Sequence, residues 1–240
     1  MKKAAFLSLV LVLSLSSCYF DGWGTGISGN GNVVEDTRNV KGFTGVEVST
    51  GIDVYLTQGE EFEVIVEADE NLQDVILTEL RGDRLVVRTD HVNIRSAKSK
   101  KVHVTLPELR ELKISSAGDC VGQTPFECED LRLSISSAGD LTLEVEADRI
   151  DLDISSSGDA RLSGSVRVFD ANLSSAGDLH AFDLVAGKVD VTVSSAGDAR
   201  VHATDELTMN ASSAGSIYYR GDAEVVRSTS SSAGSIVRRD

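Results

Sequence analysis

Aromatic side chains make up only 5% of this 240-residue sequence, and prolines number two. So few rings exclude a large sandwich core and suit a narrow interior of Val, Ile, Leu and Ala. Positive charge is also scarce: 23 Lys and Arg stand against 38 Asp and Glu, for a formal charge of −15. A field of that sign repels phosphate backbones, which excludes nucleic acid as a partner and favours cations or plain solubility. The apolar run Ala4 to Leu15 is 12 residues long, short of the roughly 20 that a membrane-spanning helix needs. The four histidines, His91, His103, His180 and His202, show no metal-ligand spacing, and there is no Gly-x-Ser-x-Gly elbow and no phosphate loop.

What is present begins with an address. Met1-Lys2-Lys3 precedes the apolar run, which ends in Leu15-Ser16-Ser17-Cys18. This pattern resembles a bacterial lipobox, with residues 1–17 as signal peptide and Cys18 as the lipid-bearing first residue. The expected partner is therefore a membrane, through a lipid anchor, and the expected location is the cell envelope at the outer membrane, with the leaflet left open. Residues 18–32, rich in glycine, read as a flexible tether. Residues 33–240 read as a single domain.

One motif dominates that domain. Ser-Ser-Ala-Gly-Asp or a close variant recurs seven times, with glycines at Gly118, Gly139, Gly158, Gly177, Gly197, Gly215 and Gly234, at intervals of 18 to 21 residues. That spacing signals a solenoid. Before each glycine the apolar residues alternate with polar ones, as in Leu131, Leu133 and Ile135, or Val189, Val191 and Val193. After it a second alternating run follows, as in Leu141, Leu143 and Val145. Period two means strands with one buried face. A unit is thus strand, tight corner, strand, second corner, too small to stand alone and obliged to stack on its neighbours. The fold expected is an all-β parallel β-helix of coils near 19 residues, with the corner glycine supplying a positive φ. The inward positions of the last copy, Ser228 and Ser230, mark a polar C-terminal end. Residues 33–110 lose the period. Ser49-Thr50-Gly51-Ile52-Asp53 looks like a degenerate first corner, residues 71–80 like a short helix or turn, and the whole segment like wider opening coils, the alternative being a separate small β domain.

Gly29-Asn30-Gly31-Asn32, Arg38-Asn39-Val40-Lys41-Gly42-Phe43, Gly51-Ile52-Asp53-Val54-Tyr55-Leu56 and the repeated corners together resemble the head GIN domain family of autotransporter-adhesin heads, often found as lipoproteins. The resemblance covers nearly all of the mature chain. It implies a right-handed parallel β-helix and carries over no catalytic residue.

Several side-chain rows follow from the repeat. Asp119, Asp140, Asp159, Asp178 and Asp198 should form a column at the corners. Like charges about 5 Å apart repel by about 3 kcal/mol at an effective dielectric of 20, so each must bond the amides of its own turn or share a weakly held divalent cation, the only cofactor suggested. Arg161 and Arg200 lie close enough to supply counter-charge. Asp151, Asp170 and Asp190 form a second acidic row, repeating with the coil as an architectural feature would. Cys120 and Cys128 either form a disulfide, which export permits, or pack as two small apolar residues. Two residues beyond each corner Asp or Ser runs a mixed outward row: Val121, Thr142, Arg161, His180, Arg200, Tyr218 and Val237. The function this supports is a non-enzymatic adhesion, binding or scaffolding module for a glycan or protein surface. The alternatives are a polysaccharide-active β-helix enzyme, which should break the repeat at one cleft, and a structural spacer.

Overall fold

A computed structural model describes residues 26–239. Cys18 and the signal peptide lie outside that range. Seventeen of its strands join into one sheet, wound into stacked parallel coils. The long strands Asp140–Ile154, Asp159–Ser174, Leu179–Ser194 and Asp198–Ser212 each pair in parallel with the next. Each runs unbroken from one Ser-Ser-Ala-Gly corner to the following one. The expected second corner is a bend within the strand: Leu141, Leu143 and Val145 point inward, the alternation slips, and Ile150, Leu152 and Ile154 point inward again.

Inward positions stack as ladders that alternate in volume. Val54, Cys120, Leu141, Ala160, Leu179, Ala199 and Ile217 follow one another in register. Large and small residues alternate along much of that row, so neighbouring coils interdigitate at the density of protein interiors. Cys120 fills one of the small slots. It and Cys128, which lies beside Ala147 at the bend, are both free thiols. Burial pushes the Cys128 thiol up to about 11 and the Cys120 thiol higher still, so neither is an activated nucleophile.

The corners differ from expectation in an instructive way. The positive φ falls on the second serine, as in Ser137 (65°), Ser156 (66°) and Ser175 (75°), while the motif glycines stay in ordinary regions. Glycine is required for another reason. A Cβ on Gly158 would sit 2.5 Å from Ile135 Cγ2 and 2.9 Å from the Gly139 carbonyl oxygen of the coil beneath. The corners nest so closely that only hydrogen fits. Backbone bonds between coils hold the nesting: Ser157 N–H donates to Ser137 O at 2.8 Å and Ala176 N–H to Ser156 O at 2.8 Å. The first serine adds a ladder of its own, with Ser115 Oγ donating to Val48 O at 3.2 Å and Ser194 Oγ to Leu173 O at 3.3 Å.

The opening segment departs further from a simple series of coils. Gly45–Val48 and Asp53–Gln58 do form a coil around the degenerate corner, stacked under Glu111–Ile114 and Asp119–Gly122. On its other side lies a coil from later in the chain, Arg84–Thr89 and Lys100–Leu106. Chain order and stacking order are therefore exchanged. Below that coil the strands turn antiparallel: Ile76–Arg81 on Arg84–Thr89, Glu63–Asp69 on Lys100–Leu106, and Val33–Thr37 on Glu63–Asp69. A 3₁₀ turn at Glu70–Leu72 tucks the buried Leu72 under the stack. These elements seal the amino-terminal end of the core.

The glycine-rich stretch read as tether is shorter than its composition suggests. Ile27–Ser28 pairs with Ile94–Ser96, Asn71 Nδ2 donates to Ser28 O at 2.9 Å, and Asn30 N–H donates to Asn71 Oδ1 at 2.8 Å. Asp69, fully buried, accepts the N–H groups of Gly31, Lys98 (2.7 Å) and Ser99 (3.1 Å). Burial alone would raise its carboxyl, but the donated bonds from Ser99, Gly31 and Lys98 outweigh burial and hold it below the ordinary aspartate value. A depressed folded value means that this contribution to stability is complete above the unfolded pKa of about 4 and fades as pH falls through the folded value. Asp69→Asn, which turns an amide donor toward backbone donors, is expected to lower the melting temperature at pH 7 and to flatten its acid slope below pH 4. An unchanged thermal profile from pH 2 to 7 would contradict this role.

Candidate binding strip

The outward row two residues past each corner is assembled in full register: Val121, Thr142, Arg161, His180, Arg200, Tyr218 and Val237 stack one coil above another. The parallel pairing that fixes the inward ladder fixes this one too, because side chains alternate across each strand. The row continues beyond what the repeat shows, through Tyr55 and His103. Their rings stack at 5.2 Å, Lys101 Nζ lies 5.9 Å from the Tyr55 ring centre, and Glu67 lies 3.3 Å from His103 Nε2. Loss of the period in residues 33–110 hid this extension, although Tyr55 stands two residues after Asp53 as Val121 does after Asp119. At the far end the Arg200 guanidinium lies 5.4 Å from the Tyr218 ring centre. The strip is thus aromatic and basic at both ends, with Thr142 and the exposed Arg161 between.

The corner aspartates run along one side of it, as expected, beginning one coil earlier at Asp53. Their bonding differs from the expected pattern. Three of the carboxylates serve the next coil rather than their own turn: Asp53 accepts from Asp119 N–H at 3.4 Å, Asp159 from Asp178 N–H at 3.2 Å, and Asp178 from Asp198 N–H at 2.9 Å. Arg200 also lies 3.5 Å from Asp198. Burial first, then the carboxylates of Asp53 and Asp140, push the Asp119 carboxyl up, and Lys100 opposes them. Among the described residues no group of three or more His, Cys, Asp or Glu side chains is arranged to hold a metal ion. Millimolar calcium is accordingly expected to leave the melting temperature unchanged, and an upward shift would assign a cation to the column.

The second acidic row also forms, Asp151 beside Asp170 beside Asp190. Arg149, two residues before Asp151, bridges its first two members, 3.0 Å from Asp151 and also paired with Asp170. Burial raises the Asp170 carboxyl, Arg149 opposes it, and Asp151 and Asp190 add to the rise. Asp151 and Asp170 are thus tied to a guanidinium, and Asp151 also lines an open cleft with Glu108, Glu111, Glu129 and Asp130, among Arg84, Arg110 and Arg132. The repeat does break at one place, where residues 90–99 replace the tight corner. The cleft there is lined by Arg88, His91 and Lys100 with Thr50, Ile94 and Ser116, and no carboxylate lines it. It lacks the paired acids of glycoside hydrolysis.

The same architecture is found in solved structures. A putative adhesin from Bacteroides fragilis NCTC 9343 superposes with a TM-score of 0.81 at 21% identity, over 89% of this chain and 100% of that one. A putative lipid binding protein from Parabacteroides distasonis ATCC 8503 gives 0.73 at 23% identity, over 89% and 99%. A putative adhesin from Parabacteroides merdae ATCC 43184 gives 0.72 at 20%, over 90% and 99%. At such identities the likeness concerns the fold. No curated protein matches the chain. Residues 42–223, from the glycine before Phe43 to the bend of the last coil, match the family model described as "Putative auto-transporter adhesin, head GIN domain", and the chain belongs to that family.

Proposed function

We propose that this protein is a lipid-anchored adhesion or binding module of the cell envelope, that it catalyses no reaction, and that it acts through the outward strip. The observation that carries this reading is the unbroken register of that strip from His103 to Val237. A row fixed by backbone pairing is rigid, so a ligand that lies along it loses little free energy to ordering of the protein. A flat row with few rings binds weakly one copy at a time, and many anchored copies on a membrane multiply weak contacts into firm attachment. The family's adhesin description and the likeness to adhesin folds agree with such a role. The acidic rows fit it as well, since the carboxylates of Asp151, Asp159, Asp170, Asp178 and Asp198 bond or pair within the scaffold. A glycan array probed with detergent-extracted full-length protein, displayed monomerically and on beads, is the test. Signals that appear on beads and fall in Arg161→Ala are expected. Product release from neutral or acidic polysaccharides, abolished by Asp170→Asn, would replace this reading with an enzyme.

A further inference from the structure

The last two copies of the corner motif end in Ser216 and Ser235 where the earlier ones carry aspartate. The acidic ladder beside the strip therefore stops at Asp198. In the same two coils the chain reads Ile217-Tyr218-Tyr219-Arg220 and Ile236-Val237-Arg238-Arg239, the densest run of rings and guanidiniums in the repeat region. Loss of acid and gain of base coincide at one end of an otherwise acidic molecule.

The geometry there is specific. The Tyr218 ring lies between two guanidiniums, Arg200 at 5.4 Å on the coil below and Arg239 at 4.9 Å. Among the described residues the Arg239 guanidinium makes no ion pair and packs on that ring. Beside them Arg220 packs over the Phe182 ring at 5.1 Å and donates to the Phe182 carbonyl at 2.5 Å. His202 is the register partner of Arg220. Three acids stand at the margin: Asp198 is 3.5 Å from Arg200, Asp183 is 3.4 Å from Arg220 and Asp222 is 3.4 Å from Arg238.

A second, independent observation points to a missing acceptor. Five buried side-chain nitrogens or oxygens lack a hydrogen-bond partner among the described residues, and three of them lie on these two adjacent strands: Arg200 Nη1, His202 Nδ1 and Arg220 Nε. Buried donors without partners are rare in native proteins and mark a bound water, ion or ligand oxygen. Here they cluster where the rings do.

We propose that this end of the strip, formed by Arg200, His202, Tyr218, Arg220 and Arg239 with Phe182, is a binding site for an acidic saccharide. It rests on the reading of the strip as a glycan-binding face and names the chemistry of the ligand. A guanidinium packed on a ring can still turn N–H groups outward, and paired N–H groups receive a carboxylate or sulfate through paired bonds. The half-buried Phe182 ring, with Arg220 over one face, leaves its other face for the C–H face of a pyranose, which an inorganic anion would not use. Long polyphosphates are disfavoured by the acidic ladder one coil below.

Binding of fluorescently labelled polygalacturonate, dextran sulfate and neutral dextran to the full-length protein in detergent is the test, with Tyr218→Ala, Arg239→Gln and Arg161→Ala alongside. Arg239 is exposed on the last coil, so its variant leaves the core intact even if Tyr218→Ala lowers the melting temperature. Binding of an acidic polymer but not dextran, weakened at least tenfold by Arg239→Gln and by Tyr218→Ala and less strongly by Arg161→Ala, is expected. Polygalacturonate alone would identify a carboxylate site, and dextran sulfate alone a sulfate site. Failure of both acidic polymers to bind, or binding that Arg239→Gln leaves unchanged, overturns the site. If glycan binding falls in Arg161→Ala and survives Arg239→Gln, the acidic site is overturned while the strip stands. A blank glycan array together with no binding to either polymer overturns both.

Discussion

Gly158→Val is expected to lower the melting temperature by about 10 °C. The added carbon meets Ile135 Cγ2 and the Gly139 carbonyl well inside contact distance, and neither can yield. Ile135 is a core residue held in the sheet, and Gly139 O already accepts from Asp159 N–H at 3.2 Å. Overpacking of this kind costs about 1–3 kcal/mol or somewhat more, and about 2–4 °C accompanies each kcal/mol in a domain of this size. The cause is crowding between coils, so the companion variant Ser156→Gly should behave differently. Ser156 carries the positive φ of 66°, a region glycine occupies without strain, and its substitution should change stability by no more than about 1 kcal/mol. Equal losses in the two variants, read by thermal melting, would mean that the corner is governed by backbone conformation instead of by nesting.

Cys18→Ser is expected to move the protein from the detergent-extracted membrane fraction into the soluble fraction. On the proposed lipid-anchored reading, Leu15-Ser16-Ser17-Cys18 would be the signal for lipid attachment, and each methylene buried in the bilayer would contribute about 0.8 kcal/mol. The body should be indifferent to the change, because its first docked residues are Ile27 and Ser28. The melting temperature should therefore match that of the parent. Between Cys18 and Ile27 the chain can span at most about 30 Å, so a lipid on Cys18 would keep the sealed end of the stack near the bilayer surface. A variant that stays with the membrane would remove the anchor from the account of this protein.

The repeat region was legible because one pattern does several jobs at once. The inward triplets, the tight corner and the outward strip all follow from a period near 19 and the two-residue alternation of strands, and the structure places Arg161, His180, Arg200 and Tyr218 in one row as that arithmetic requires. Other features depend on contacts that a single strand does not reveal. Nothing local to Glu63–Asp69 says that it runs antiparallel to Lys100–Leu106, or that Arg84–Thr89 slips beneath a coil made earlier in the chain. Glycines between Gly26 and Gly31 look like a tether until Asp69 and Asn71 hold them. The corner glycine invites an explanation in φ that only the neighbouring coil corrects. Arg149 and Arg220 went unnoticed because their partners lie 21 and 37 residues away, at Asp170 and Asp183.

The two ends of the stack are unequal. One is closed by antiparallel strands, while at the other every residue of Glu224–Ser230 is exposed. Eight rung-to-rung steps separate Arg84 from Arg227, about 38 Å at the usual strand spacing of ~4.8 Å. Once the sealed end is tethered to a membrane, a load applied at the far end runs along the axis, parallel to the hydrogen bonds that join the rungs. Bonds loaded in that direction open one rung at a time rather than all together. The outermost coil, with serines in place of a core, has the least to hold it and yields first. Under tension the molecule would therefore fail at its tip, as a mechanical fuse, and leave the remaining coils and the membrane attachment intact.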